Sequence, residues 1–226
     1  MASWMIHLRI ADHLLTRIPN LHEEAFIMGN IAPDSGVPNE DWSKFSPSTA
    51  VSHFRTDNGS GKKNIDINAF TDLHFTPDQQ SSYDVRAYSF YLGYLTHLLT
   101  DKEWSDRIAH PAFEKHNAHA NPTMTGLIKG DWYDLDYLYL RDHPDFKAFQ
   151  IYRNIQTFPN VYMDIFSTDA FDNRRAYITR FYLQENEHLD REYPYLTKDD
   201  ADQFVNDACE NIIIELGNHT VRPVLI

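Results

Sequence analysis

Residues 83–104 read YDVRAYSFYLGYLTHLLTDKEW, and this stretch decides the fold. Ala87, Phe90, Tyr91, Tyr94, Leu95 and Leu98 recur at spacings of three and four, the period of a helix that turns one face to a core. Within it His97 and Asp101 stand four apart, so both lie on one face, with Phe90, Tyr94 and Trp104. A carboxylate among aromatics is costly to bury unless something pairs with it. A His–Asp hydrogen bond would satisfy the pair, and so would a metal ion. Gly93, one turn before His97, weakens the helix by about 1 kcal/mol relative to alanine, which marks a place of close approach.

Helical periodicity continues outward from this segment. Residues 4–18 carry Ile6, Ile10, Ala11, Leu14, Leu15 and Ile18 as an apolar stripe, ended by Pro19-Asn20. A short helix over 21–31 stops at Pro33, and a short segment follows around 48–56. Further helices are expected near 131–142, 145–156, 172–189 and 198–216. The last has Thr197 as its N-cap and Gly217 as its stop. Gly, Pro, Asn and Ser fill 34–47, and Asp57–Lys63 has the most loop-like composition. No repeat is present and no alternation demands a sheet, although 57–82 leaves room for a small hairpin. The expected fold is all-α: one domain over 1–226, a helical bundle around a buried metal site, with long loops at 34–47, 57–82 and 105–122.

Composition narrows the function. At 42% hydrophobic and 14% aromatic, the chain has material for a packed core, which excludes disorder and a disulfide scaffold. Cys209 is the only cysteine, which fits a reducing compartment. The opening Met1–Arg9 lacks the basic leader and apolar run of a secretory signal, and no apolar run approaches a membrane span. The expected location is the cytoplasm. A formal charge of −13 disfavours nucleic acid and anionic membranes as partners. Twelve histidines are many for such a chain, and imidazole is the commonest metal ligand.

Besides His97 and Asp101, three residues fall where an apolar face or its end would carry them inward. His7 shares a face with Ala11, Leu14 and Ile18, whereas Arg9, His13 and Arg17 lie on the opposite side. Asp34 follows Ile31-Ala32-Pro33, and His53 stands between Ser52 and Phe54. Each has an ordinary role open to it: a hydrogen-bonded core histidine, a turn-forming aspartate. Together they make three imidazoles and two carboxylates on four segments, a mixed set that suits Zn²⁺ and also Fe, Mn or Ni.

In order and approximate spacing, these residues resemble the zinc-dependent phospholipase C family, relatives of the single-strand nucleases of plants and fungi. The resemblance is carried by His7-Leu8-Arg9-Ile10, Asp34, Ser52-His53-Phe54 and the Tyr91-Leu92-Gly93…His97…Asp101 helix, and it covers about 1–104. It implies an all-helical fold in which Asp34, His53, His97 and Asp101 surround one metal. It further implies that His7 binds a second metal, with Asp101 shared, and that Asp34 is the general base. The sequence departs from the family pattern in two places. The family begins at a tryptophan whose free amine ligates metal, whereas Trp4 lies inside the chain. Six residues after Asp101 stands Arg107 where the family has histidine, and His110 and Glu114 hold the next pair's spacing too early, around Pro111. One or two zinc ions are therefore expected. Asp131, Asp134 and His110 are the candidates to complete the second site. As ordinary residues, Asp131 would cap a helix after Gly130 and Asp134 would be a first-turn acid.

The resulting expectation is a metal-dependent hydrolase of a small soluble phosphodiester or phosphomonoester, working through metal-activated water. The alternative is a non-catalytic metal-binding helical protein whose cluster is structural. Phosphohydrolases with paired His-Asp ligands are disfavoured, because the sequence has no His-Asp doublet.

Overall fold

The computed structural model describes residues 1–41, 43–57 and 63–221. Helices α1 (Trp4–Arg17) and α2 (Glu23–Ile31) lead through a 3-10 turn at Ala32–Asp34 into a two-residue hairpin, β1 (Val37–Pro38) with β2 (Phe45–Ser46). The single turn α3 (Thr49–Ser52) precedes a second hairpin, β3 (Arg55–Asp57) with β4 (Lys63–Ile65), in which Arg55 opposes Ile65. Then come α4 (Ile67–His74), α5 (Pro77–Ser82), α6 (Val85–Trp104), α7 (His110–Lys115), α8 (Pro122–Asp142), α9 (Lys147–Asn154), α10 (Ala170–Tyr182) and α11 (Lys198–His219). The fold is all-α, and among the described residues no helix is long and apolar enough to cross a membrane.

Helix α6 is the axis. Every residue from Tyr88 to Asp101 is buried, so it is covered on all sides, as a helix apolar around its whole circumference must be. Its tightest neighbour is α2. A Cβ on Gly93 would strike the Phe26 carbonyl oxygen, and one on Gly29 would strike that of Phe90. Two facing glycines thus let the helix backbones touch. The close approach expected at Gly93 is made by another helix.

Helix α1 packs on the same core through Met5, Ile6, Leu8, Ile10, Ala11 and Leu14. Ser3 caps it by accepting from the Ile6 amide. Its expected outer face is partly covered: Arg9 bonds Asp202 of α11 at 2.6 Å and lies 4.1 Å from the Tyr139 ring of α8.

Three expected loops contain more structure than their composition suggests. The 34–47 stretch holds the first hairpin. The 57–82 stretch holds β4, α4 and α5, while residues 58–62, its glycine-rich centre, lie outside the described residues. The 105–122 stretch is largely helical, because α6 runs on through a π-turn at Ser105–Ala109 into α7. Helix α8 begins at Pro122 with Asn121 as its cap, which places Asp131 in mid-helix and corrects the expected start there.

Candidate metal centre

Four segments converge on the buried side of α6. His97, one turn before Asp101, is fully buried, and its Nδ1 lies 2.7 Å from the carbonyl oxygen of Asn30. A carbonyl only accepts, so the proton sits on Nδ1 and the lone pair of Nε2 faces inward. Burial, then the neighbouring His7, pushes the His97 imidazole down to about 3, so it stays neutral well below the ordinary histidine range.

His53 ends α3. Its Nδ1 meets the Ser52 hydroxyl at 2.9 Å, which turns Nε2 inward as well, 3.2 Å from His97 Nε2. The chain reaches β3 through Phe54, whose φ of 49° is left-handed. For a bulky residue that conformation costs roughly 1–2 kcal/mol. Packing holds it, with the Phe54 ring edge-on to Phe70 at 5.4 Å.

Asp34 arrives from the turn after α2, its Oδ1 3.3 Å from His53 Nε2. Burial opposes its charge, yet the His53 contact and the neighbouring His97 imidazole outweigh that and hold the carboxyl well below the usual range. Asp101 behaves likewise. Burial would raise it, but the chain's N-terminal charge and the close contact with His7 prevail. Its Oδ1 accepts the Ala2 backbone N–H at 2.7 Å and lies 3.4 Å from His7 Nε2. Its Oδ2 is 3.6 Å from His53 Nε2 and 3.8 Å from the Arg55 guanidinium. His7 is fully buried, and its ring stacks on His97 at 3.8 Å and 4°.

The arrangement leaves polar atoms without partners. Both ring nitrogens of His7 and Oδ2 of Asp101 are buried with no hydrogen bond. Each such atom costs about 1–3 kcal/mol if nothing compensates it. A cation would satisfy Asp101 Oδ2 and the lone-pair nitrogen of His7. Two overlapping donor groups, His7–Asp34–His97 and His53–His97–Asp101, each have their ligand atoms within 4.8 Å of one another. Imidazole nitrogens with carboxylate oxygens suit zinc, so the residues present fit the group.

The remaining candidates are engaged elsewhere. Asp131 accepts from Arg191 at 2.7 Å and from the Tyr195 amide at 2.8 Å, and Asp134 binds Arg191 and Asn186. His110 lies in α7 with Nε2 3.4 Å from the Ser105 hydroxyl. Arg107 pairs with Asp207 at 2.6 Å. None of these joins the two donor groups. The residue beside His7 and His97 is instead Asp34, the carboxylate after α2.

Sequence reasoning missed the groups that orient the donors. The Asn30 carbonyl and the Ala2 amide are backbone atoms and carry no side-chain signal. Ser52 and Arg55 do flank His53 in the sequence, and that adjacency was the available clue. Beside the cluster opens a cleft of about 730 Å³ whose lining includes Asp34, Ser52, Arg55, Trp4, Tyr133 and Tyr177. The 34–47 segment adds Gly36, Phe45 and Pro47 to its wall, whereas no described residue of 57–82 lines it.

An all-α fold that turns three imidazoles and two carboxylates toward one buried point, beside an open cleft, has the architecture of a helical metalloprotein. The family model described as zinc dependent phospholipase C matches residues 6–128, and the chain belongs to that family. The match takes in His7, Asp34, His53, His97 and Asp101 and ends within α8. No curated protein and no solved structure matches the chain. Family membership supports a metal-dependent phosphoester hydrolase, with zinc as the metal.

Proposed function

We propose that this chain hydrolyses a small soluble phosphomonoester or phosphodiester, with His7, Asp34, His53, His97 and Asp101 holding one or two zinc ions. The observation that carries the reading is the double position of Asp34, which belongs both to the buried donor set and to the cleft wall. A purely structural site is closed on all sides, whereas a catalytic one keeps an accessible position. When bound, zinc supplies positive charge that acidifies water and draws electron density from a phosphoryl oxygen.

The chain's own residues supply the rest. Asn30 and Ser52 hold the His97 and His53 rings with Nε2 inward. Asp34, ionised at neutral pH and reached from the cleft, is the general base that takes a proton from the attacking water. Trp4, Tyr133 and Tyr177 give the cleft an aromatic wall for the organic part of the ester. The net charge of −13 sets the protein against polyanionic substrates. The reading treats 1–226 as one domain, with α9, α10 and α11 completing the core begun by the matched segment. It places the protein in the cytoplasm, where the buried thiol of Cys209 stays free.

Zinc-loaded wild type and Asp34→Asn, assayed on chromogenic phosphoesters, test this directly. Wild type turns over at least one of them, and Asp34→Asn falls by about 100-fold or more in kcat, the scale of a lost general base. Full zinc content in wild type with no turnover of any ester would favour the structural role instead.

A further inference from the structure

Arg55 is the first residue of β3, two positions after His53. Its side chain is 19% exposed, and it lines the cleft together with Asp34 and Ser52. Its Nη2 lies 3.8 Å from Asp101 Oδ2, too long for a hydrogen bond, and Oδ2 is itself without one. The guanidinium is thus beside the donor cluster without being committed to it. Among the described residues no hydrogen bond occupies it.

Two other cations line the same cleft, and neither is placed this way. Arg174 is buried and spent on the Gly36 carbonyl at 2.6 Å, with the Tyr177 ring 5.5 Å away. Lys129 is exposed on α8. Among the described cations, Arg55 alone stands where the cleft meets the proposed metal donors. Its position is enforced by backbone geometry. Left-handed Phe54 turns the chain between His53 and Arg55, and the pairing of Arg55 with Ile65 fixes the strand beyond.

A guanidinium presents a planar fork of donors that matches two oxygens of a phosphoryl group. We propose that Arg55 binds the phosphoryl oxygens of the substrate at the mouth of the metal cluster, as the residue that recognises the anion. The proposal rests on the hydrolase reading above. Its rival is a counter-ion role, in which Arg55 only steadies Asp101.

Calorimetric titration of inorganic phosphate into zinc-loaded wild type, Arg55→Met and Arg55→Lys, with zinc content measured on each sample, separates the two. All three proteins are expected to hold the same zinc. Arg55→Met is expected to lose phosphate affinity by about tenfold or more, and Arg55→Lys by roughly threefold, because lysine keeps the charge but not the fork. Unchanged phosphate affinity in Arg55→Met overturns the proposal. Loss of zinc in Arg55→Met also overturns it, since that is what a counter-ion to Asp101 would do. If Arg55→Met does not fold, Arg55→Lys decides: wild-type phosphate affinity at full zinc counts against the fork. A wild type that takes up no zinc sinks the hydrolase reading itself, whereas a zinc-loaded, active wild type with an indifferent Arg55 sinks only this step.

Discussion

Two buried groups give the protein opposite responses to pH. His97 is held neutral down to about 3, while an unfolded histidine ionises near 6.5. Its contribution to the stability of the metal-free protein is therefore present above pH 6.5 and lost as pH falls toward 3. Asp136 on α8 behaves the other way. Burial raises its carboxyl to about 7, against pulls from Tyr182 at 2.6 Å, Ser3 at 2.7 Å and Arg9. Its folded pKa exceeds the unfolded value of 3.8, so the stability it contributes is present below pH 4 and lost as pH rises to 7. Metal-free Asp136→Asn should therefore gain on the order of 3 kcal/mol over wild type at pH 8, with the gain shrinking toward pH 4. Urea unfolding across that range measures it, and an offset independent of pH would contradict the assignment. That these His and Asp residues turn inward was legible in the sequence, because core-facing His and Asp at helical spacing are costly without a partner. Asp131 and Asp134 pair with Arg191, 60 and 57 positions away, a partner that spacing on one helix cannot reveal.

Among elements, the legible ones were those with a long apolar stripe, α1 and α6. Those missed hide their signal in different ways. Helix α5 is Pro77-Asp78-Gln79-Gln80-Ser81-Ser82, with no apolar face. It forms because Thr76 and Gln79 make a reciprocal cap and Pro77 opens the first turn. The first half of α8 contains Gly126 and Gly130, which argue against a helix, yet both face open space and so carry only the intrinsic glycine penalty. That contrast predicts opposite outcomes for the same substitution. Gly126→Ala should stabilise the protein by about 0.5–1 kcal/mol, since nothing lies near its Cβ. Gly93→Ala should destabilise it by roughly 2–3 kcal/mol, because the new methyl meets the Phe26 carbonyl of α2 and drives apart the helices that hold Asn30 against His97. Thermal unfolding of both variants checks the signs. Matching shifts would mean that the α2–α6 contact is looser than the structure shows.

For the whole molecule, the buried side chains form one cluster reaching from Ala2 to Leu216, and the proposed metal donors sit inside it. The N-terminal 104 residues, where the sequence resembles the family, supply all five of the proposed donors. The C-terminal helices supply core and part of the cleft, through Arg174, Tyr177 and Phe181. Sequence patterns could point to inward-facing His and Asp residues, but not to the open cleft they meet, because the cleft is built from residues more than a hundred positions apart. The central claim is that His53 and His97 turn their Nε2 atoms to one another because a metal belongs between them and the two aspartates. Diffraction from zinc-loaded crystals above and below the zinc absorption edge tests this most directly. The account predicts an anomalous peak at about 2.0–2.1 Å from both Nε2 atoms, with Asp34 or Asp101 completing the shell. A zinc peak elsewhere, with the two Nε2 atoms still 3.2 Å apart and nothing between them and the aspartates, would contradict it.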